Sequence, residues 1–213
     1  MHCIRLALLA ITASAGCLVA LSDNPVVAQT IVDEWASVKA PPPPELKPVT
    51  LEAKTTGLLL LDFVKPICGP RPRCVASLPK VQNLASEARA NGALVVHSVA
   101  GQLTKADILT EVAPTENEPL VRSGANKFLG TDLEKTLKDK GIKTVVIVGT
   151  AAHGAVLNTA AAAALNGFKV IVPIDGVSSA ETYSEQYTVW HLANAPGGIG
   201  PNVTLTKTEM IKF

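Results

Sequence analysis

Several things are scarce in this sequence of 213 residues, the first of them excess charge: 19 basic residues stand against 18 acidic ones, a formal charge of +1. No dense Lys/Arg block occurs anywhere. Nucleic-acid binding and docking on anionic membranes both lean on concentrated positive charge, so neither is expected. Histidine and cysteine are also few, four of each. No histidine lies close in sequence to Cys68 or Cys74, and their spacing is neither C-x-x-C nor part of a repeated ligand set, so no metal is expected. Internal repeats are missing. Beyond the first thirty residues the apolar residues fall in short blocks, which leaves no stable membrane span in a mature chain.

What is present is a core. Apolar residues reach 47% against 17% charged, enough for a packed fold in which one domain suffices. The start of the chain differs from the rest. Arg5 precedes an apolar run, Leu6 to Leu21, and Val26-Val27-Ala28 offers small or short residues at a cleavage point. This reads as a secretory signal peptide over 1–28, giving a periplasmic or secreted protein. A membrane anchor, or a lipoprotein through Cys17, are the alternatives. Residues 29–54 form an arm with the Pro41–Pro44 linker, which favours extended backbone, and 55–213 form the α/β domain. After export only Cys68 and Cys74 remain. A disulfide pinning the Gly-Pro-Arg-Pro-Arg loop between them is expected in an oxidising compartment, with a free thiol pair as the other possibility.

From Thr55 the chain alternates short apolar blocks with helical patterns. Gly57 to Leu61 is a continuous apolar run ending in Asp62, the pattern of a buried central strand that delivers a carboxylate at its C-terminal end. Leu78 to Ala90 has helical spacing, stopped by Asn91-Gly92. Ala93–Val99, Thr144–Val148 and Phe168–Ile174 read as further strands, with Val203–Leu205 as a last one. Thr131-Asp132-Leu133-Glu134 reads as a capping box. An Ala-rich helix runs from about Gly154 to Leu165, and another over Ser179–Leu192. Residues 100–120 form an irregular excursion with a helical turn near 104–109. This order predicts a doubly wound, mostly parallel sheet with helices on both faces. Ligands of such sheets bind beyond the carboxyl ends of the strands, where Asp62, residues 98–102, the 149–155 turn and Asp175 should gather.

The segment from about Thr55 to Thr206 resembles the isochorismatase-like cysteine hydrolases, a family of amidases and related enzymes. The resemblance is carried in order by LLLLDF, by FLGTDLEKTLKDKGIKTVVIVGT and by AAHGAVLNTAAAAALNGFKVIVPIDG. It implies a Rossmann-like three-layer fold, a small polar molecule as partner, a homodimer or higher homo-oligomer, and no cofactor. The metal set of the family's nicotinamidase branch has no counterpart in Ser98-Val99-Ala100-Gly101-Gln102.

The resemblance also implies a site. The family's general-base aspartate falls on Asp62, and its lysine, counted back from Thr131, falls on Arg122. Its cysteine nucleophile falls on Ala155, which has no nucleophilic atom. Lys127 stands nearer the helix and either reaches the same pocket or is a solvated residue before the cap. His153, on the turn itself, is a candidate for poising a water with Asp62. Phe63, Ser98, Asn126, Gly154 and Asn158 complete the candidate binding set, while Cys68 or Cys74 as a substitute nucleophile is disfavoured by their expected oxidation. Two functions follow: hydrolysis of a small amide, imide or related molecule without a cysteine, or a catalytically silent binding or structural protein on the same fold.

Overall fold

The computed structural model describes residues 29–213; the expected leader over 1–28 lies outside them. Residues up to Ala40 belong to one unit and Pro41–Phe213 to a second. In the first, helix α1 (Ile31–Glu34) is opened by Thr30, whose backbone N–H and hydroxyl both donate to Asp33 Oδ2 at 2.9 Å. No helix among the described residues is long and apolar enough to cross a membrane.

The second unit is a three-layer α/β fold. Its chain order is β1 (Val49–Thr50), β2 (Thr56–Leu61), α2 (Lys65–Cys68), α3 (Pro72–Ala90), β3 (Leu94–Val99), β4 (Leu120–Arg122), α4 (Leu133–Asp139), β5 (Thr144–Thr150), α5 (Leu157–Leu165), β6 (Lys169–Pro173), β7 (Val177–Ser178), α6 (Thr182–Asn194), β8 (Val203–Thr206) and β9 (Ile211–Lys212). The main sheet runs β4-β3-β2-β5-β6-β8, with β7 paired to β5, and every pairing is parallel. Strands β1 and β9 pair separately.

Side chains of a strand alternate between faces, and the apolar run of β2 is therefore shared by two cores. Leu58 and Leu60 join Val95, Val99, Val146 and Val148 beneath Leu78, Val81 and Leu84 of α3. Leu59 and Leu61 join Val96, Val145 and Ile147 beneath Leu133 and Leu137 of α4, Ala160 and Ala163 of α5, and Leu192 of α6. Burying each leucine contributes roughly 1.5–3 kcal/mol, and both faces of the sheet are covered. The strand order reverses at β2, with β3 and β4 added on one side and β5, β6 and β8 on the other. That reversal opens a crevice between the carboxyl ends of β2 and β5, the place where such sheets bind ligands.

Strands β2 and β5 approach closely. Gly149 lies opposite Leu61, and with φ at 153° a Cβ there would stand 2.5 Å from the Leu61 carbonyl oxygen. The 100–120 excursion is pinned by a half-buried charge cluster. Glu118 accepts from Arg89 Nε and Nη2 at 2.7 and 2.9 Å and from the Thr115 N–H at 3.0 Å, and it bonds His97 Nε2 at 2.9 Å. Burial disfavours the Glu118 carboxylate, but the bonds from Arg89, Thr115 and His97 outweigh it and hold the carboxyl at about 2. Burial also pushes the His97 imidazole below its ordinary value, only partly opposed by Glu118.

Several elements differ from expectation. Helix α3 starts at Pro72 rather than Leu78, because proline at the first helical position loses no bond the helix needs. The capping box at Thr131 forms only in part: the Thr131 hydroxyl accepts from the Leu133 N–H at 3.3 Å while donating to the Lys127 carbonyl at 2.6 Å, but the Glu134 carboxylate turns to Lys138 and Asn166. The Ala-rich helix is entered through one turn of π-helix, Ala152–Val156. The excursion holds two short 3-10 turns, Lys105–Asp107 and Thr110–Val112, and Ile108 bridges to Val64.

Two predictions follow from these contacts. Gly149→Ala lowers the unfolding free energy in urea by about 2 kcal/mol or more, since the added methyl collides with backbone. The depressed Glu118 carboxyl stabilises the fold above its ordinary value of 4.5, and this contribution is lost as pH falls toward about 2. The stability gap between wild type and Glu118→Gln, followed by denaturant melts against pH, is therefore constant near neutrality and closes between those two values.

Candidate active site

Strand β2 delivers Asp62 to one wall of the crevice. Its backbone adopts the left-handed conformation, φ 56°, which aspartate tolerates better than most residues at a cost of roughly 1–2 kcal/mol. Ser98, at the same level of neighbouring β3, holds it twice: the Ser98 hydroxyl accepts from the Asp62 N–H at 3.2 Å and donates to Asp62 Oδ1 at 2.7 Å. The carboxylate is only 5% exposed. A charge so placed is costly unless paired.

Its partner is Lys127, 0% exposed. The Lys127 ammonium donates to Asp62 Oδ2 at 2.8 Å, to the Gly124 carbonyl at 2.9 Å and to the Ser123 carbonyl at 3.3 Å, which uses all three of its N–H groups. The loop between β4 and α4 thus folds around its own lysine. It is anchored to α5 through Thr159, whose hydroxyl accepts from the Lys127 N–H at 3.2 Å and donates to the Ala125 carbonyl at 3.3 Å.

The opposite wall is the turn after β5. The Thr150–Ala151 peptide is cis. Ala152 and Ala155 are buried, and the turn leads directly into the first residues of α5. His153 is exposed, with Nδ1 3.0 Å from the buried Ser179 hydroxyl. The Asn158 amide donates to the Gly154 carbonyl at 2.8 Å and so closes the turn.

The crevice therefore joins Asp62, Ser98 and Lys127 by direct bonds, with the Gly154–Ala155 turn beyond β5. It does not join Arg122, which lies exposed at the end of edge strand β4. Arg122, the position counted from Thr131, makes no bond to Asp62, and Lys127, buried rather than solvated, supplies the ammonium that does. Asp62 bonds Lys127 and Ser98, while His153 bonds Ser179. Phe63 packs into the core under α3. Asn126 spends its Oδ1 on the Phe128 N–H at 2.9 Å, a local turn bond. Asp175 likewise serves the frame, accepting from Thr208 and Lys80. Cys68 and Cys74 form a disulfide, Cα–Cα 5.4 Å, so neither offers a thiol.

Sequence reasoning missed Arg71. This half-buried residue, inside the disulfide loop, sends Nη1 to the Thr150 hydroxyl at 3.0 Å, immediately before the turn. Among the described residues no three His, Cys, Asp or Glu side chains gather as a metal site. A groove of about 820 Å³ lies elsewhere, between Pro41–Pro44, Val189 and Trp190 of α6, and β8.

The Isochorismatase domain family model matches residues 56–201, and the chain belongs to that family. A secreted isochorismatase effector, Isc1, from Verticillium dahliae is 38% identical over 113 residues, which are 48% of this chain and 60% of that protein. An N-carbamoylsarcosine amidase from Arthrobacter is 28% identical over 95 residues, 44% of this chain and 36% of its own length. The chain thus spans less than two thirds of either curated relative. In three dimensions it is similar to an isochorismatase-like hydrolase from Alkaliphilus metalliredigens, with a TM-score of 0.65 and 23% identity over 73% of this chain and 96% of that one; this likeness shows the fold.

Breaking the buried pair has a calculable consequence. Lys127→Met leaves the Asp62 carboxylate without its cation and costs about 3–5 kcal/mol of stability, whereas the double variant Asp62→Asn/Lys127→Met regains most of that loss. Urea unfolding of the three proteins checks it.

Proposed function

We propose that this protein is an exported hydrolase of small amides or imides that attacks the carbonyl with water instead of a thiol. The reading rests on one observation: a buried aspartate–lysine pair persists beside the β5 turn although the lysine comes from a different position in the loop. An ion pair out of water adds little to stability compared with apolar residues of the same volume, so its retention points to chemistry. Ala155 stands where the family resemblance puts the nucleophile, which excludes a covalent intermediate on that residue.

In this mechanism Asp62 takes a proton from water as the water oxygen bonds to the carbonyl carbon and the carbonyl electron pair moves onto its oxygen. Backbone N–H groups of the π-turn before α5 that the turn itself leaves unbonded stabilise that oxyanion. Collapse of the tetrahedral intermediate breaks the carbon–nitrogen bond, and Asp62 returns the proton to the leaving amine. Lys127 fixes the carboxylate's orientation, and His153, tethered to Ser179, borders the entrance. The amidase among the relatives supports the substrate class, and the secreted relative supports export. A homodimer is the assembly expected from the family resemblance.

A second reading, a silent ligand-binding protein, is favoured by the 5% exposure of both Asp62 and Ala155. A panel of small amides, imides and ureas decides between the two. Wild-type protein hydrolyses at least one member, and Asp62→Asn lowers that rate by about 100-fold or more. Equal background rates for both proteins across the panel sink the catalytic reading in favour of binding.

A further inference from the structure

Three arginines emerge near the start of α3 or along it, and they differ in what they meet. Arg73 pairs with Glu185, and Arg89 with Glu118. Arg71 is half-buried, yet among the described residues no carboxylate pairs with it; the bond from Nη1 to the Thr150 hydroxyl accounts for one of its five N–H groups. Its backbone is fixed on both sides. The Arg71 N–H donates to the Cys68 carbonyl at 2.9 Å, its own carbonyl accepts from Cys74 and Val75 at 2.9 and 3.1 Å, and the disulfide closes the loop.

A second unused group lies on β7, opposite Thr150. Ser178 is 1% exposed, and its hydroxyl is buried without a hydrogen-bond partner. In the β5–β7 pairing Ser178 stands opposite Thr150, so the two side chains leave the same face of the sheet. That face is the one under α3, since Val148, two residues before Thr150, belongs to the core there. A guanidinium with free donors and an unpaired hydroxyl thus flank Thr150, one residue before the turn that carries Ala155. Leaving either unsatisfied in a buried place costs stability.

We propose that Arg71 and Ser178 form a subsite for the carboxylate of the substrate, so that the preferred ligands are small amides bearing a carboxylate a few bonds from the amide carbon. A planar carboxylate accepts two parallel bonds from a guanidinium and retains lone pairs for a hydroxyl. The proposal rests on the crevice being the ligand site, but not on turnover. Arg71 is a binding residue in this scheme, and the disulfide loop positions it.

Calorimetric titration with malonamate and succinamate, against the uncharged malonamide and succinamide, tests it. Wild type binds the monoamide anions about tenfold or more tightly than the diamides. Arg71→Gln removes that preference, Arg71→Lys keeps part of it, and Ser178→Ala weakens anion binding by a few-fold, with thermal melts confirming that each variant is folded. Equal binding of charged and neutral probes by wild type, no binding of either monoamide, or a preference that survives in Arg71→Gln overturns the subsite. The two proposals fail separately. Charge preference without hydrolysis by wild type sinks the catalytic reading alone, and hydrolysis of neutral amides without charge preference sinks the subsite alone.

Discussion

A buried carboxylate that must meet its ammonium organises this crevice. Asp62 and Lys127 come from segments 65 residues apart, and neither charge is tolerable without the other. Four elements converge to make the meeting possible: β2 carries the acid, β3 supplies Ser98, the loop before α4 wraps the ammonium with its own carbonyls, and Thr159 of α5 fastens that loop. The left-handed backbone at Asp62 is a local cost accepted to hold that geometry, and the Thr131 hydroxyl ties the Lys127 carbonyl to the first turn of α4.

The layered fold was legible because it follows from short-range pattern. Leu58 to Leu61 reads as a strand buried on both faces, and the alternation of strands and helices leaves a parallel sheet as the consistent solution. Shorter elements left weaker traces. Strand β4 is three residues on an edge, with Leu120 and Arg122 exposed, and β7 is two residues following a 3-10 turn; neither is long enough to display a period. The start of α3 was signalled by Pro72, but Pro79 inside the same helix disguises its continuity.

The site was legible only where it lies on regular structure. Asp62 and Ser98 sit at strand ends, and position along a strand is readable. Lys127 sits in a loop that curls on itself, so its reach is set by the carbonyls it meets and by Thr159, not by its count from Thr131. That is why spacing pointed to Arg122, which ends on the sheet edge. Arg71 was invisible for a different reason: its contact with Thr150 spans 79 residues of chain, and nothing local distinguishes it from Arg73, which pairs with Glu185.

The disulfide closes the loop that presents Arg71, and both of its cysteines are fully buried in the core under α3. In a reducing compartment the same two residues are thiols, and the turn between them loses its covalent closure. The Asp62–Lys127 pair lies outside that loop and Arg71 inside it, so the bond bears more directly on the guanidinium at Thr150 than on the buried pair. The covalent closure between two cysteines six residues apart therefore bears on the reach of a single side chain, the guanidinium that meets Thr150.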